Sequence, residues 1–402
     1  MLNVRRTLDR ALRWLERRRQ PRPTAAAEPT PASPSGAMVA EPWYLDHAVI
    51  ETDGAPPRVR LTGWALPELS PPDDDTATPS EALARYAAQS GRFTVNGRAP
   101  LHVDYPQQRP ALREHFWQRR DAEYSGFTVI ADLAYPDGYM EVRCANSTTE
   151  AMARGRESWF LPDPAQHTDL PDADRRYRVI GNRDVNGFLW LGATDAMRLK
   201  MACEAYCGAP LFGRNLQVLD WGVGCGRIAR HLAPGIGDGF HGCDIDADNV
   251  SWCAAHLPGR FAPSKLEPPL PWPDATFDVI YGVSVFTHLR REWEQRWLAE
   301  LRRVLKPGGV LMVTVHGQTA IDFAGLSPTE HHALQDRLAR EGLVVTSSNN
   351  QLDGFVDHPD EYVNVFHSPD YIEREWATWF GRIVRLPGYL FTHDLILATK
   401  AP

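Results

Sequence analysis

No apolar run in this 402-residue chain reaches the roughly 18 residues that a membrane-spanning helix needs. The first twenty residues are broken by Arg10 and Arg13, where a secretory signal would need a continuous apolar core. Neither a spanning helix nor a cleaved leader is expected. Cysteine is sparse: the six, at 144, 203, 207, 225, 243 and 253, form no CxxC pair and no framework spacing. A disulfide scaffold is thereby excluded, and a reducing compartment, the cytoplasm, is the expected location. Cys203 and Cys207 stand i,i+4 on one predicted helix face, but no second half of a metal site is visible, and small buried apolar residues are the simplest reading. Outside the N-terminus, acidic residues outnumber basic ones. The chain sums to −8 although its first twenty residues hold seven Arg against Asp9 and Glu16, and so acidic a body argues against a broad nucleic-acid surface.

What is present divides the chain. Residues 1–20, MLNVRRTLDRALRWLERRRQ, place Val4, Leu8, Ala11, Leu12 and Leu15 on one helical face ringed by arginine. This is a basic amphipathic helix, suited either to packing on a partner or to peripheral contact with an anionic membrane surface. Residues 21–40, rich in Pro and Ala, cannot build a core and read as a linker. From 41 to 162 the pattern changes to short β-type runs such as RVRLTGWAL and GFTVIADL, with Asn96-Gly97 and Asp137-Gly138 supplying turns. A small all-β sandwich is expected there, interrupted by an acidic, Pro-rich loop at 70–80 and a helix at 111–120. Trp64 and Trp117 could stack on sugar rings, although large side chains in a small sandwich more often fill its core.

After a Pro/Asp-rich joint at 161–174, helices and strands alternate from 175 to 402. A helix is expected at 193–207, then strands at 217–220, 239–244, near 260, 277–283 and 309–316. A long insertion at 317–369 should roof the site. A helix at 368–380 and two closely linked strands, GRIVRLP and THDLILATK, follow it. Alternation of this kind predicts a parallel sheet with helices on both faces.

The stretch 217–232, QVLDWGVGCGRIARHL, organises this half. A short strand ends on Asp220, glycines follow at 222, 224 and 226, and a helix begins near Ile228. Alternate glycines let a ligand approach the main chain where a Cβ would block it. Twenty residues after Gly224, Asp244 ends the next strand, the separation that brings a carboxylate beneath a ribose. A dehydrogenase fingerprint would carry glycine at 227, where this chain has Arg.

D-x-G-x-G-x-G resembles the first motif of class I S-adenosylmethionine-dependent methyltransferases. LPWPDATFDVIYGVSVFTHL (270–289) and LRRVLKPGGVLMVTVHG (301–317) resemble that family's fourth- and fifth-strand motifs, in the right order, and the likeness covers roughly 175–400. The resemblance implies an α/β Rossmann-like methyltransferase fold: a mostly parallel seven-stranded sheet with an antiparallel last strand, here preceded by the sandwich and the amphipathic helix. It implies S-adenosylmethionine as cofactor, with Asp220, Gly222, Gly224 and Gly226 cradling the methionine and ribose portions, Asp244 accepting from the ribose hydroxyls, and Ile245 and Leu266 flanking the adenine. Ser284, after the fourth strand, joins that cofactor set. Asp246 is the alternative ribose ligand, and Ser264 or the backbone would read the adenine amino group, because no acidic residue stands just after the third strand.

An alcohol acceptor loses its proton only in the transition state, and histidine is the side chain best matched to take it. His288 and His316 follow the fourth and fifth strands, where open α/β sheets place their sites. His367 is a further candidate. The cluster Asp353, Asp357, His358, Asp360 and Glu361 reads as a solvated loop, and no metal is expected. Similar β-modules precede methyltransferase domains in some bacterial glycan-assembly enzymes, and the arrangement with FTHL and TVHG resembles enzymes that modify surface sugars. The expected reaction is O-methylation of a glycan or sugar nucleotide; a small-molecule methyltransferase of secondary metabolism and a non-catalytic cofactor-binding scaffold are the alternatives.

Overall fold

The computed structural model describes residues 43–52, 56–68, 79–119, 121–147, 149–348 and 363–401. The expected N-terminal helix, the linker, most of the 70–80 loop and the acidic cluster around Asp357 lie outside the described residues.

Period-two alternation drives the first half. In β6 (Tyr139–Cys144), Met140, Val142 and Cys144 turn inward while their neighbours stay half-exposed. This strand pairs antiparallel with β3 (Phe93–Val95) and β7 (Ser158–Pro162). A second antiparallel sheet runs in the order β1 (Trp43–Glu51), β2 (Arg58–Ala65), β5 (Gly126–Asp132), β4 (His102–Gln107). The two sheets share one core, in which Trp64, Phe93, Phe127 and Trp159 are almost wholly buried. Trp64 is therefore withdrawn as a sugar platform. Trp117 lies edge-on to His331 and His332 of the second half. The expected helix at 111–120 covers only Pro110–His115.

The two halves interlock. Phe323 enters the first core, and the buried Arg198 guanidinium donates to the carbonyls of Arg156, Ser158 and Tyr389 at 2.9, 3.1 and 3.2 Å. Three carbonyls satisfy a charge that burial would otherwise penalise.

The second half is built on a sheet whose central strands are β10 (Arg260–Pro263), β9 (Phe240–Asp244), β8 (Val218–Trp221), β11 (Phe277–Gly282) and β12 (Leu305–His316), all parallel. β16 (His393–Thr399) runs antiparallel to β12, and β15 (Ile383–Leu390) antiparallel to β16. The sheet has nine strands rather than seven. The insertion contributes the other two, because its short β-branched runs β13 (Leu343–Ser348) and β14 (Val363–His367) pair with each other and extend the sheet. β16 pairs along one edge of β12 from Val310 to His316 and β11 along the other as far as Val313, so β14 joins β12 only at His316, opposite Phe366. The expected helix at 368–380 reduces to the turns Pro369–Tyr371 and Ile372–Trp376.

β14 is anchored by Glu294, on the helix Arg291–Val304, whose fully buried carboxyl accepts from His367 Nε2 at 2.7 Å, Trp376 Nε1 at 2.8 Å and Tyr371 Oη at 3.0 Å. Glu294→Ala would strand three buried donors, each worth about 1 to 3 kcal/mol. Urea denaturation is expected to show a loss of at least about 3 kcal/mol, and a loss under about 1 would mean that water replaces the carboxyl there.

Candidate active site

β8 ends in Asp220 and Trp221, and the chain then turns through Gly222, Gly224 and Gly226 at φ of 89, 52 and 77°. The amides of Gly222 and Val223 both donate to Cys243 O, at 2.8 and 2.9 Å, which ties the loop to β9. Asp244 fastens it further, accepting from Gly224 N at 2.7 Å through Oδ2 and from Asp246 N at 2.8 Å through Oδ1. Each carboxylate oxygen keeps a second lone pair for a ligand. A Cβ on Gly222 or Gly224 would come within 2.6 Å of Val285 or 2.8 Å of Val179, both in the wall of the adjacent cavity. Gly226 differs: a Cβ there would meet Leu257 at 2.3 Å and Cys253 at 3.2 Å. Its lack of a side chain serves helix packing, and it lies outside the cavity lining.

That cavity, about 1140 Å³, lies along the carboxyl ends of β8, β9 and β11. The structure brings Asp220, Gly222, Gly224, Asp244, Ile245, Leu266, Ser284 and His288 together around it, but not Gly226 or His316. Ser284 adopts φ 61°, which a non-glycine residue holds only under constraint. Its amide donates to the buried Thr314 hydroxyl at 2.7 Å, and its own Oγ lies 3.1 Å from Thr287 Oγ1. Leu266 O accepts from Trp297 Nε1 at 2.9 Å, and Ser264, also in the lining, donates its amide to Asp244 O at 2.8 Å.

Asp246 has other work. Its side chain caps the helix Ala247–His256 through Asp248 N and Asn249 N and pairs with Arg178 at 2.7 Å. Arg178 sits on the helix Ala173–Ile180, and both it and Val179 line the cavity. The Arg-x-x-Arg spacing at 175 and 178, facing Asp246 and Asp248, was the signal in the sequence that could have located this cover.

Burial sets the electrostatics. It pushes the Asp220 carboxyl up to about 7, against the hydrogen bond that Tyr281 Oη donates at 2.8 Å. It raises Asp244 to about 6, against the backbone donors of Asp246 and Gly224. Two desolvated carboxylates at strand ends fit a ligand that brings hydroxyls and positive charge.

His288 is also buried. Its Nδ1–H donates to Val363 O at 2.8 Å, which leaves Nε2 as the ring's acceptor. Burial lowers its pKa to about 4, so the imidazole is neutral near pH 7. The His316 ring stacks on His393 at 4.9 Å and touches Phe366 at 5.2 Å, because β12 meets both β16 and β14 at this residue; it lies 6.5 Å from the His288 ring. Burial holds His316 well below the ordinary histidine value, with His393 adding to it. His367 belongs to the Glu294 network and not to the cavity. His393 was not singled out in the sequence, since nothing local announces that it pairs with His316.

Residues 218–309 match the family model described as a methyltransferase domain. That match supports S-adenosylmethionine as the cofactor. The glycine cradle and the two strand-end carboxylates fit it, since a sulfonium carries positive charge and a ribose offers the hydroxyls Asp244 can accept. The match covers the first glycine loop, both carboxylates and His288, and stops before His316. Over 107 residues the chain is 28% identical to an uncharacterized protein of Haemophilus influenzae, covering 25% of this chain and 43% of that one. Over 105 residues it is 30% identical to the sterol 24-C-methyltransferase ERG6B of Gibberella zeae, covering 25% and 27%. The chain thus spans less than half the length of either curated relative. A SAM-dependent methyltransferase of Methanosarcina mazei aligns at 18% identity with a TM-score of 0.34, over 46% of this chain and 93% of that one. No helix among the described residues is long and apolar enough to cross a membrane.

In the role that the resemblance gives it, Asp244 would have to be ionised to accept from ribose hydroxyls, and binding would then expel a proton whenever the pH is below about 6. S-adenosylhomocysteine affinity is therefore expected to fall at least about tenfold from pH 7.5 to 5, with Asp220 acting in the same direction. Isothermal titration across that range checks it, and a pH-independent affinity would show that neither carboxylate holds the ligand.

Proposed function

We propose that the chain methylates a hydroxyl oxygen of a sugar, in a glycan or a sugar nucleotide, using S-adenosylmethionine. The observation that carries this is a single cavity running from the glycine loop to His288. When bound, the cofactor supplies a methyl group on a sulfonium. The chain's part is positional: Asp244 and the glycine loop orient the nucleoside, the cover helix Ala173–Ile180 excludes water, and His288 Nε2 is the acceptor that takes the hydroxyl proton. Trp293, half-exposed at the cavity wall, offers a face on which a sugar ring can lie. The motif order in the sequence supports the same class. The basic helix pattern at 1–20 supports peripheral contact with an anionic membrane on the cytoplasmic side.

One observation favours a second reading. A histidine with a pKa of about 4 is a weaker base toward an alcohol than an ordinary imidazole, so a small-molecule acceptor that needs less base, on carbon or on a more acidic heteroatom, also fits the cavity. A radiolabelled methyl survey over glycan, lipid and small-molecule fractions separates the two. Label in a sugar fraction, removable by glycoside hydrolysis, is the expected result. Label only in small molecules would select the second reading, and none in any fraction, with S-adenosylhomocysteine still bound, would leave a cofactor-binding scaffold.

A further inference from the structure

The sheet β1–β2–β5–β4 of the first half has two outer strands, and their free edges differ. β4 is shielded: the helix Pro79–Ala87 packs against it, Pro106 lacks an amide donor, and its register breaks between Asp104 and Gln107. The segment His47–Glu51 of β1 contains no proline, lysine or arginine. The irregularity of β1 lies earlier, between Leu45 and His47, so these five residues run in regular register against Thr62–Arg58 of β2. Among the described residues no strand pairs with their outer edge. Unpaired amides and carbonyls along a regular edge are a template for another strand.

The side chains of this segment are apolar where an edge facing only solvent would favour charge: Val49 is 54% exposed and Ile50 46%. Alternation puts Ala48 and Ile50 on the inner face, where Ala48 packs on the sandwich core, and His47, Val49 and Glu51 on the outer face. A second β1 that continues the sheet antiparallel, inner face beside inner face, must oppose residues of like face. That condition admits only registers centred on a residue. Centring on Val49 uses all five positions. Val49 then faces its own copy, while Ala48 opposite the partner's Ile50 and His47 opposite the partner's Glu51 each occur twice. Arg60 donates to Glu51 Oε1 at 2.7 Å, which leaves Oε2 to accept from a histidine ring N–H. Moving the centre to Ala48 or Ile50 separates the histidine from the carboxylate.

We propose that the chain forms a two-fold dimer through β1, joining two four-stranded sheets into one of eight strands, with His47–Glu51 of each copy as the pairing segment. Five residues a side are few beside the roughly 20 to 30 of a standard interface, so the dimer comes apart on dilution. None of the five lines the methyl-transfer cavity, and each copy keeps its own site.

Sedimentation equilibrium of the full chain from about 1 to about 300 µM tests this, since a small interface dissociates in that range. Expected is a mean mass that climbs from one chain toward two. Val49→Lys sets like charges opposite each other and should raise the dissociation constant at least about tenfold. Leu101→Lys is the control: Leu101 is as exposed as Val49 but stands just before β4, and its loss should leave the dimer intact. Both variants should keep the native circular dichroism. Val49→Cys, under mild oxidation, should link two chains through position 49, as read by peptide mapping, because that position faces its own copy. A monomer across the whole range, equal weakening by the two lysines, or a link that runs only through the exposed Cys207 would overturn the proposal. None of these readouts depends on methyl transfer.

Discussion

Gly224→Val is expected to abolish S-adenosylhomocysteine binding in a protein that still folds. Gly224 holds φ 52°, where a β-branched residue is strained by about 1 to 3 kcal/mol. Its new Cβ would lie 2.8 Å from Val179 Cγ2, so the side chain either displaces the cover helix Ala173–Ile180 or turns into the cavity. The same residue donates its amide to Asp244, so its displacement also releases the carboxylate to which the proposed reading assigns the ribose. Calorimetry should show no heat of binding at ligand concentrations that saturate the native chain, and circular dichroism should show the sheet intact. Gly237→Val supplies the control, because Gly237 holds φ 76° with open space around its Cβ position. That variant bears backbone strain without touching the cavity and should bind normally. If Gly224→Val also bound normally, the ligand would not approach the chain through this loop.

The parts of this site that could be read in the sequence are those in which neighbours along the chain are also neighbours in space. Asp220, Gly222 and Gly224 form one turn, and Asp244 follows one helix and one strand later. Their grouping depends on little beyond a strand, a loop and a helix. Gly226 shows where such reading ends. Sequence registers that the position tolerates no side chain, but whether a ligand or Leu257 occupies the space is decided by a helix thirty residues on. The placement of His316 depends on two strands reaching the same residue of β12 from opposite directions. Neither contact leaves a local trace, and the two strands beyond the expected seven arise from the same non-local pairing. Trp64 illustrates the converse, since an aromatic in a β-run carries no mark that tells a buried ring from an exposed one.

His288→Ala is expected to lower methyl-transfer turnover by about 10²- to 10⁴-fold on the acceptor found in the labelling survey, with S-adenosylhomocysteine affinity little changed. The side chain lines the cavity, and in the proposed mechanism it serves the acceptor hydroxyl and not the nucleoside. The sign of the pH effect follows from burial, which depresses the imidazole pKa to about 4. The ring is the neutral, competent form at every pH above that value, so the rising limb should lie near 4 instead of near 6.5, and His288 should add no inflection between pH 6 and 8. A weak base also places the reaction toward the lower end of that range of rate loss for an alcohol acceptor. His316→Ala should cost less, because that ring stacks on His393 outside the cavity lining, 6.5 Å from His288. Equal losses would mean that the stacked histidines act as one unit. His288→Gln separates chemistry from support: its amide can still donate to Val363 O, yet it cannot take a proton near neutral pH. If that variant kept full turnover, His288 would be a brace for β14, and the acceptor would have to be one that meets the donor with its electrons already free.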